Sequence, residues 1–272
     1  MIEIKIKPIK GFINIDLKEL WQFRELFGFL AWRDIKVRYK QTSIGVAWAV
    51  LQPFLTMIIF SIFFGRLAGI KSGEIPYPIF VYSGLLFWNY FSNALSTSSI
   101  SLIAEQSIIQ KVYFPRIIIP IASTLVFLLD FLFSFMVFVG LMFYYHFFPN
   151  LSGILLIIPS IIITFLNICG LGLIFSSINV KYRDVRYALP FFIQLLLFLT
   201  PVIYPTSILG SHQWIMYLNP MSGVIETMRA GLLGTGSINW MIFGSSAVMS
   251  ILIFIFGLFY FKRSEKFFAD II

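Results

Sequence analysis

The sequence predicts an all-helical integral membrane protein. We expect six transmembrane helices, an N-terminal amphipathic helix at the membrane interface, and short re-entrant helices before the last span. Hydrophobic residues make up 59% of the 272 residues and charged residues only 12%, about half the charged share of soluble domains. Several apolar runs approach the roughly 20 residues that cross a bilayer. Basic residues cluster in a few connections instead of being spread along the chain.

The six predicted spans follow the apolar runs. They cover about residues 44–65, 77–98, 117–145, 153–178, 187–204 and 238–261. The fifth span is short and lies between Pro190 and Pro201, which interrupt a regular helix. We therefore divide the chain into a cytoplasmic interface segment, residues 1–43, and a single transmembrane domain, residues 44–272.

The placement of basic residues predicts the orientation. An even number of spans puts both termini on one side of the membrane. All Lys and Arg residues except Arg66, Lys71 and Arg229 fall on that side, and Lys and Arg are concentrated in cytoplasmic loops. Both termini are therefore expected in the cytoplasm. The net charge of +8 follows from this topology and does not indicate a nucleic-acid partner.

The segment before the first span predicts a helix in the plane of the membrane interface. Asp16 is a suitable N-cap, and Glu19 at the third helical position completes a capping box. One face of this helix is apolar at helical spacing, with Leu20, Phe23, Phe27 and Leu30. Charged side chains follow on the opposite face, and such a helix lies along a bilayer surface.

Two connections have unusual composition. Residues 99–116 are polar enough to leave the bilayer, yet they predict a short helix with an exposed apolar stripe of Leu102, Ile103, Ile108 and Ile109. A stripe of this kind indicates that something docks there. Residues 205–237 are too polar to span and too apolar for a solvated loop, so we expect re-entrant helices buried in protein or facing a watery cavity.

Motifs of catalysis are missing from the sequence. It has no metalloprotease, paired-cysteine or nucleophile motif and no phosphate-binding loop of an ATPase. We therefore expect no metal and no cofactor on this chain. Charged groups inside the bilayer are costly, so Asp130, midway along the third span, is expected to contact a neighbouring helix or a wet conduit.

Aromatic residues make up 18% of the chain. Six Tyr and Trp residues are candidates for a channel or gate: Tyr82, Trp88, Tyr90, Tyr204, Trp214 and Tyr217. Two interpretations stay open. The rings form a belt at the membrane interface, or they face a channel and stack on sugars.

Four segments together carry a family resemblance. WRDIKVRYKQTSIGVAWAVLQP, residues 32–53, resembles the signature of membrane subunits of ABC-2 type transporters that export polysaccharides. KVYFPR at 111–116, TPVIYP at 200–205 and the Asn-Pro pair at 219–220, which Arg229 follows, are similar to further segments of that family. The resemblance covers essentially the whole chain.

The resemblance implies a permease of the bacterial inner membrane that exports a lipid-linked polysaccharide such as O antigen, capsule or teichoic acid. It implies a homodimer with two copies of a separate ATPase, which binds the ATP and Mg²⁺, so this chain is not itself an enzyme. In that family the N-terminal helix and the 99–116 loop contact the ATPase, and the helices after the fifth span form the outer gate. The matching coupling residues here are Glu25, Glu105, Gln106, Lys111 and Tyr113.

A lipid-linked cargo also needs cations where its phosphate enters from the cytoplasm. Arginine forks and lysine ammonium groups bind phosphate well. The candidates are Arg33, Arg38, Lys40 and Arg116. Anchoring of the cytoplasmic loops is the competing interpretation for each of them.

Three other functions stay open. The first is an ABC-2 exporter of a drug or small lipid. The second is an ATP-independent channel or secondary carrier, although residues 1–140 and 141–272 show no convincing repeat of the kind found in carriers. The third is a membrane-embedded glycan enzyme, which the missing acid–base pair disfavours.

Overall fold

The computed structural model describes residues 17–40, 45–234 and 236–271, with side chains from Lys18 to Phe268 in those ranges. All regular elements there are helices, and no strand occurs among the described residues. The elements are α1 Leu17–Gln22, α2 Arg24–Lys40, α3 Ala47–Phe60, α4 Tyr77–Ala104, α5 Gln106–Ile109, α6 Ile118–Tyr144, α7 Leu151–Lys181, α8 Val185–Leu199, α9 Pro220–Leu233 and α10 Trp240–Ile271. A π-helical extension, Ser61–Leu67, follows α3, and a 3₁₀ segment, Thr206–Tyr217, precedes α9. The predicted all-helical class is confirmed; the expected N-cap Asp16 and the expected start of the first span at residue 44 lie outside the described residues.

Four of the described helical segments are long and apolar enough to cross a membrane. They are Ala47–Leu67, Ile118–Tyr144, Leu151–Lys181 and Trp240–Phe268. They correspond to the first, third, fourth and sixth predicted spans. The fifth predicted span is instead a 15-residue helix of about 22 Å, shorter than the roughly 30 Å apolar layer, and its last residues form an irregular segment.

The second predicted span is α4, which is long but not uniformly apolar. It is 28 residues long and packs against α3, α6, α7, α8 and α9, so it lies at the centre of the bundle. Three of its serines are satisfied within the helix: Ser83, Ser96 and Ser101 each donate to a carbonyl three or four residues earlier. Its polar residues are therefore compatible with burial among other helices.

The N-terminal helices pack on the protein with the face that was expected to meet the membrane. Leu30 and Ala31 are buried, and Leu20, Phe23 and Phe27 pack against a second hydrophobic cluster formed with α6 and α10. Trp21, Phe29 and Trp32 are the exposed aromatic residues of this segment. The predicted apolar face is present and packs on the bundle, whereas a position of this segment at the membrane interface stays a prediction.

The predicted apolar stripe of the 99–116 connection is wrong. Leu102 is fully buried at the end of α4, and Ile109 is 8% exposed. The helix α4 extends to Ala104, so much of the expected loop is helix inside the bundle. Val112 and Tyr113 are the exposed large apolar residues that follow.

The bundle has two ends that differ in their elements. At the α5 end lie α1, α2, α5, the start of α6 and the last turns of α10, joined by the second hydrophobic cluster. At the α9 end lie the start of α4, the 200–205 segment, the 3₁₀ segment and α9. Within the region expected to be re-entrant, residues 205–237, the structure has the helical segments Thr206–Tyr217 and Pro220–Leu233. The helix α9 is buried on nearly all sides, and a re-entrant position in the membrane stays a prediction.

The helices α7 and α10 make the most extensive pair in the fold and cross at two glycines. A Cβ on Gly170 would lie 2.7 Å from the backbone carbonyl of Ile253, and a Cβ on Gly257 would overlap the carbonyl of Gly170. Backbones in contact at this separation require glycine, as at other membrane helix crossings.

Substitution Gly257→Ala is expected to destabilise the fold by about 1–3 kcal/mol, because the added methyl forces α10 away from α7. The measurement is the free energy of unfolding in mixed micelles. The matched control is Gly140→Ala on α6, where an added Cβ meets nothing within 4 Å. Equal stability of the two variants would contradict the close crossing.

Candidate functional site

At the α5 end, an ion pair joins the interface helix to the central helix. Arg33 Nη2 lies 2.5 Å and Nη1 lies 3.1 Å from the two carboxylate oxygens of Glu105, at the end of α4. Arg33 also donates to Asp34 at 2.7 Å. The hydrogen bonds to Glu105 raise the pKa of the Arg33 guanidinium despite partial burial. This fork fixes α2 to α4 although the two residues are 72 positions apart.

Two further contacts join α1 and α10 to the KVYFPR segment. Tyr113 donates from its hydroxyl to Glu19 at 3.0 Å, and burial followed by this carboxylate raises the pKa of the phenol. Glu19, which was expected to complete a capping box, thus makes a tertiary contact, and its capping role stays a prediction because Asp16 lies outside the described residues. Arg116 donates to the backbone carbonyl of Glu265 in α10 at 3.1 Å.

The predicted ATPase-coupling residues all lie at the α5 end. Glu25 and Lys111 are exposed and Gln106 is half-buried. Tyr113 is 66% exposed and keeps its ring accessible, whereas Glu105 is held by Arg33. The segment therefore presents both charged and aromatic side chains outside the bundle, and the coupling role stays a prediction.

Deeper in the bundle, Asp130 contacts the end of the interface helix. Arg38 Nη2 lies 2.7 Å from Asp130 Oδ2, and the Tyr39 hydroxyl lies 2.5 Å from Oδ1. The Arg38 guanidinium also lies 4.5 Å from the centre of the Phe127 ring. Asp130 is the thirteenth residue of α6, so this contact brings α2 to the middle of a spanning helix. Of the two expected partners, the neighbouring helix is the one observed.

A small polar cavity adjoins this ion pair, with a volume of about 20 Å³, enough for an ordered water. Besides Arg38 and Asp130, its polar lining residues are Gln52, Asn89, Tyr90, Asn93 and Ser134. Asn89 Nδ2 and the Tyr90 hydroxyl have no hydrogen-bond partner in the protein. Both residues line the cavity, but these two atoms are buried within the protein.

The four predicted phosphate-binding cations are not gathered into one cluster. Arg33 and Arg38 contact different carboxylates, and Arg116 contacts α10. Lys40 is exposed at the end of α2. A shared role for the four in phosphate binding is still a prediction, and sequence reasoning missed that two of them hold acids.

The predicted channel aromatics divide into two groups. Tyr82, Trp88 and Tyr90 are at most 4% exposed, so in this conformation their rings face neither lipid nor a channel. Tyr82 stacks on Phe138 and donates to the Ser134 carbonyl. The other three lie at the α9 end: Tyr204, Trp214 and Tyr217. Trp214 is 58% exposed there.

At the α9 end, regular helix stops after α8, and we call residues 200–205 the break. Arg229 contacts backbone carbonyls of this break. The Arg229 guanidinium donates to the carbonyls of Pro201 and Val202, and to that of Phe80 on α4. The side chain is 2% exposed, and it lies 3.7 Å from the centre of the Phe80 ring. Sequence reasoning placed Arg229 in an outer connection and missed that it is the largest fully buried side chain.

Three further residues contact the break or leave room for its contacts. Tyr77 donates to the carbonyl of Ile203 at 2.7 Å, so three successive carbonyls accept from side chains. Asn219 caps α9 by accepting from the amide of Met221 and donates to Thr200. Gly84 leaves room for the guanidinium, because a Cβ there would lie 2.8 Å from Arg229 Nη2. The TPVIYP segment, the Asn-Pro pair and Arg229 thus form one unit.

Metal ligation has no support in the part of the chain that the structure describes. No group of three or more His, Cys, Asp or Glu side chains there could hold a metal ion. Cys169 is buried as a free thiol between helices.

Substitutions Arg33→Gln and Glu105→Gln are expected to be coupled by about 1 kcal/mol in a double-mutant cycle, because each removes the same part-buried fork. The readout is the free energy of unfolding of the single and double variants. The matched control is Lys262→Gln with Glu265→Gln, a pair within α10 that does not attach α2. Additive single effects of Arg33→Gln and Glu105→Gln would refute the link.

Substitution Arg229→Met is expected to lower the free energy of unfolding by about 3–5 kcal/mol, since it leaves buried carbonyls without donors. Arg229→Lys should recover only part of this loss, because one ammonium cannot reach three carbonyls on two segments. The control is Arg66→Met, an exposed arginine at the same end. A stable Arg229→Met variant would show that the break is held by other contacts.

Comparison with known proteins places this arrangement in a family. Residues 25–233 match the family described as "ABC-2 type transporter". The chain is 31% identical over 246 residues to the "O-antigen export system permease protein RfbA" of Klebsiella pneumoniae, covering 88% of this chain and 92% of the relative. It is 28% identical to the protein of the same name from Myxococcus xanthus, over 79% of this chain and 82% of the relative.

A more distant relative is named for a different cargo. The "Polysialic acid transport protein KpsM" of Escherichia coli is 25% identical over 207 residues, covering 74% of this chain and 78% of the relative. The matched region includes α2 to α9, and with them the Asp130 contact and the Arg229 break. A match of this extent shows that the chain belongs to the ABC-2 type transporter family.

Proposed function

We propose that this chain is the channel-forming subunit of an ATP-driven exporter that moves a lipid-linked polysaccharide, such as O antigen, across the bacterial cytoplasmic membrane. The observation that carries the proposal is the similarity over most of the chain to permeases named for O-antigen export. A relative with polysialic acid transport in its name supports a polysaccharide as the cargo class.

In this proposal both termini lie in the cytoplasm, and α4 and α8 complete six membrane segments. The basic residues of α2, the KVYFPR segment and the end of α10 all lie at the α5 end. This concentration of basic residues fits a cytoplasmic location of the α5 end. The short α8 reaches the outer leaflet only together with the 200–205 segment, whose carbonyls are satisfied inside the protein.

The proposed assembly is a homodimer above two ATPase subunits. Two exposed apolar faces support a second copy: α3 buries only Pro53 and Met57, and α8 buries only Leu189 and Ile193. The ATPase would bind the ATP and Mg²⁺ and press on the α5 end. The contacts of Arg33 with Glu105 and of Tyr113 with Glu19 make α1, α2 and the KVYFPR segment a single joint there.

In this proposal, closure of the ATPase dimer moves the joint and parts the α3 and α8 segments of the two copies. The cargo then passes between the copies, and its lipid phosphate meets cations at the α5 end. The α9 end forms the outer gate, where Trp214 and Tyr217 offer accessible rings. Sugar rings stack on such aromatic faces while hydroxyl groups reach the polar tips.

The test is co-purification with the ATPase subunit, followed by ATPase and cell-surface glycan assays. We expect a stable complex and loss of surface glycan when this chain is absent. Lys111→Glu with Tyr113→Ala should weaken the complex about tenfold or more, because both side chains lie on the proposed docking surface.

The matched control for that variant is Lys71→Glu, an exposed lysine before α4 at the opposite end of the bundle. It should leave the complex intact. Failure of the wild-type chain to associate with any ATPase subunit would overturn the proposed function. A normal amount of surface glycan in cells that lack this chain would show that this glycan is not the cargo.

A further inference from the structure

Three cations lie close together in the turn between α7 and α8, residues 181–187, which we call the KYRDVRY turn. They are Lys181, Arg183 and Arg186, and the turn has one acid, Asp184, so its net charge is +2. All four residues are exposed. The preceding residue, Val180, belongs to the second hydrophobic cluster, so the turn lies at the α5 end. It is a positively charged surface at the end of the bundle proposed to face the cytoplasm.

The cations of the KYRDVRY turn keep hydrogen-bond donors available. The Lys181 ammonium lies 5.0 Å from the centre of the Tyr182 ring, and the Arg186 guanidinium lies 5.2 Å from that of the Tyr187 ring. Such contacts hold a cation by its charge. Arg186 also donates from Nε to the carbonyl of Arg183 at 3.3 Å, which leaves both of its Nη groups. None of the three cations forms an ion pair among the described residues.

Three of the four cations predicted from the sequence to bind phosphate already have partners inside the protein. Arg33 contacts Glu105, and Arg38 contacts Asp130. Arg116 donates to a backbone carbonyl of α10. An external phosphate would have to displace these partners, since charge-assisted hydrogen bonds to a carboxylate use the donors that a phosphate needs. The KYRDVRY turn can bind an anion without such an exchange.

An exposed apolar stripe on α8 begins at this turn. Tyr187, Phe191 and Leu195 follow one another at four-residue spacing, which places them on one face of the helix. They are between 44% and 74% exposed. The stripe is about 12 Å long at 1.5 Å per residue. A cationic turn with an apolar stripe leading away from it fits a ligand that has an anionic head and a hydrocarbon tail.

We propose that the KYRDVRY turn binds the diphosphate of the lipid-linked cargo through its three cations, and that the α8 stripe holds the first part of the lipid tail. The proposal rests on the proposed function, which supplies the lipid carrier and places α8 beside the path between the two copies. A diphosphate that links a lipid to a sugar carries about one negative charge per phosphate, which matches the net charge of the turn.

The exposure of the cations also suits an entry site. Ion pairs at an exposed position are individually weak, so the affinity comes from several cations that act on one head group. The cargo is therefore bound selectively but loosely, and it can move on between the copies. Anchoring of the loop at the cytoplasmic side is the other role of such cations. Anchoring alone gives no preference for a lipid diphosphate over an uncharged polyprenol.

The experiment measures binding of a polyprenyl diphosphate to the full chain in nanodiscs of neutral lipid, with the matching polyprenol as the probe without phosphate. Arg183→Gln and Arg186→Gln should each weaken diphosphate binding about threefold to tenfold, because each removes one charge-assisted contact. Polyprenol binding should be unchanged. The matched control is Arg263→Gln, an exposed arginine of α10 at the same end of the bundle, which should leave both affinities as they are.

A second substitution tests the apolar stripe. Phe191→Ala should weaken binding of both the diphosphate and the polyprenol about threefold or more, because apolar surface for the tail is lost. The matched control is Phe256→Ala in α10. Both phenylalanines are 59% exposed, and each contacts an aromatic ring of its own helix. Equal affinities of Phe191→Ala and the wild type would overturn the proposed site for head and tail.

Three further outcomes would overturn the proposal. Unchanged diphosphate affinity in both arginine variants of the turn would leave it an anchor only. A loss of equal size in Arg263→Gln would show a response to overall charge instead of a local site. Competition by phosphatidylglycerol as strong as that of the diphosphate would assign the turn to bilayer lipid. The assay needs neither the ATPase nor glycan, whereas the proposed function is tested by ATPase association and surface glycan, so the two can fail separately.

Discussion

The α9 end of the fold depends on how the chain satisfies the backbone carbonyls that follow α8. Inside a bilayer, irregular backbone is tolerated only when its polar groups find partners within the protein. Arg229 and Tyr77 supply these partners to Pro201, Val202 and Ile203. Since Arg229 also donates to Phe80 on α4, a single side chain joins the central helix, the break and α9. The apolar helices α3, α6, α7 and α10 could pack without such a device, but a half-length α8 could not.

In the central helix α4, buried polar groups also need partners within the protein, and they find them in another way. Several of its serines, such as Ser83, Ser96 and Ser101, donate to carbonyls of their own helix, so a polar sequence is buried at little cost. The helix α4 can therefore lie at the centre of the bundle although it is less apolar than the four described helices that are long and apolar enough to cross a membrane. This central position also explains why three of the candidate aromatic residues, Tyr82, Trp88 and Tyr90, lie inside the bundle. These residues lie on α4, which the other helices of the bundle surround.

Much of the fold was predictable from sequence, whereas the pairings within it were not. Apolar runs mark α3, α6, α7 and α10 because length and hydropathy are local properties. The partners of Asp130 are 91 and 92 residues away, and those of Arg229 include α4, up to 149 residues away. No local pattern encodes such distances. The exposed stripe expected at Leu102 and Ile109 failed for a similar reason, since burial is decided by which helices pack nearby.

The interface helix α2 is attached to the bundle at two points that are only five residues apart. Arg33 contacts the end of α4, and Arg38 contacts the middle of α6. A helix fixed at two such points moves as a rigid rod, because its own backbone hydrogen bonds are far less compliant than side-chain contacts. Displacement at the α5 end would therefore reach Asp130 without passing through the hydrophobic core. The helix α2 thus links the contacts at the α5 end to the buried acid of α6, and Ala49, Gln52 and Pro53 of α3 line the cavity beside that acid.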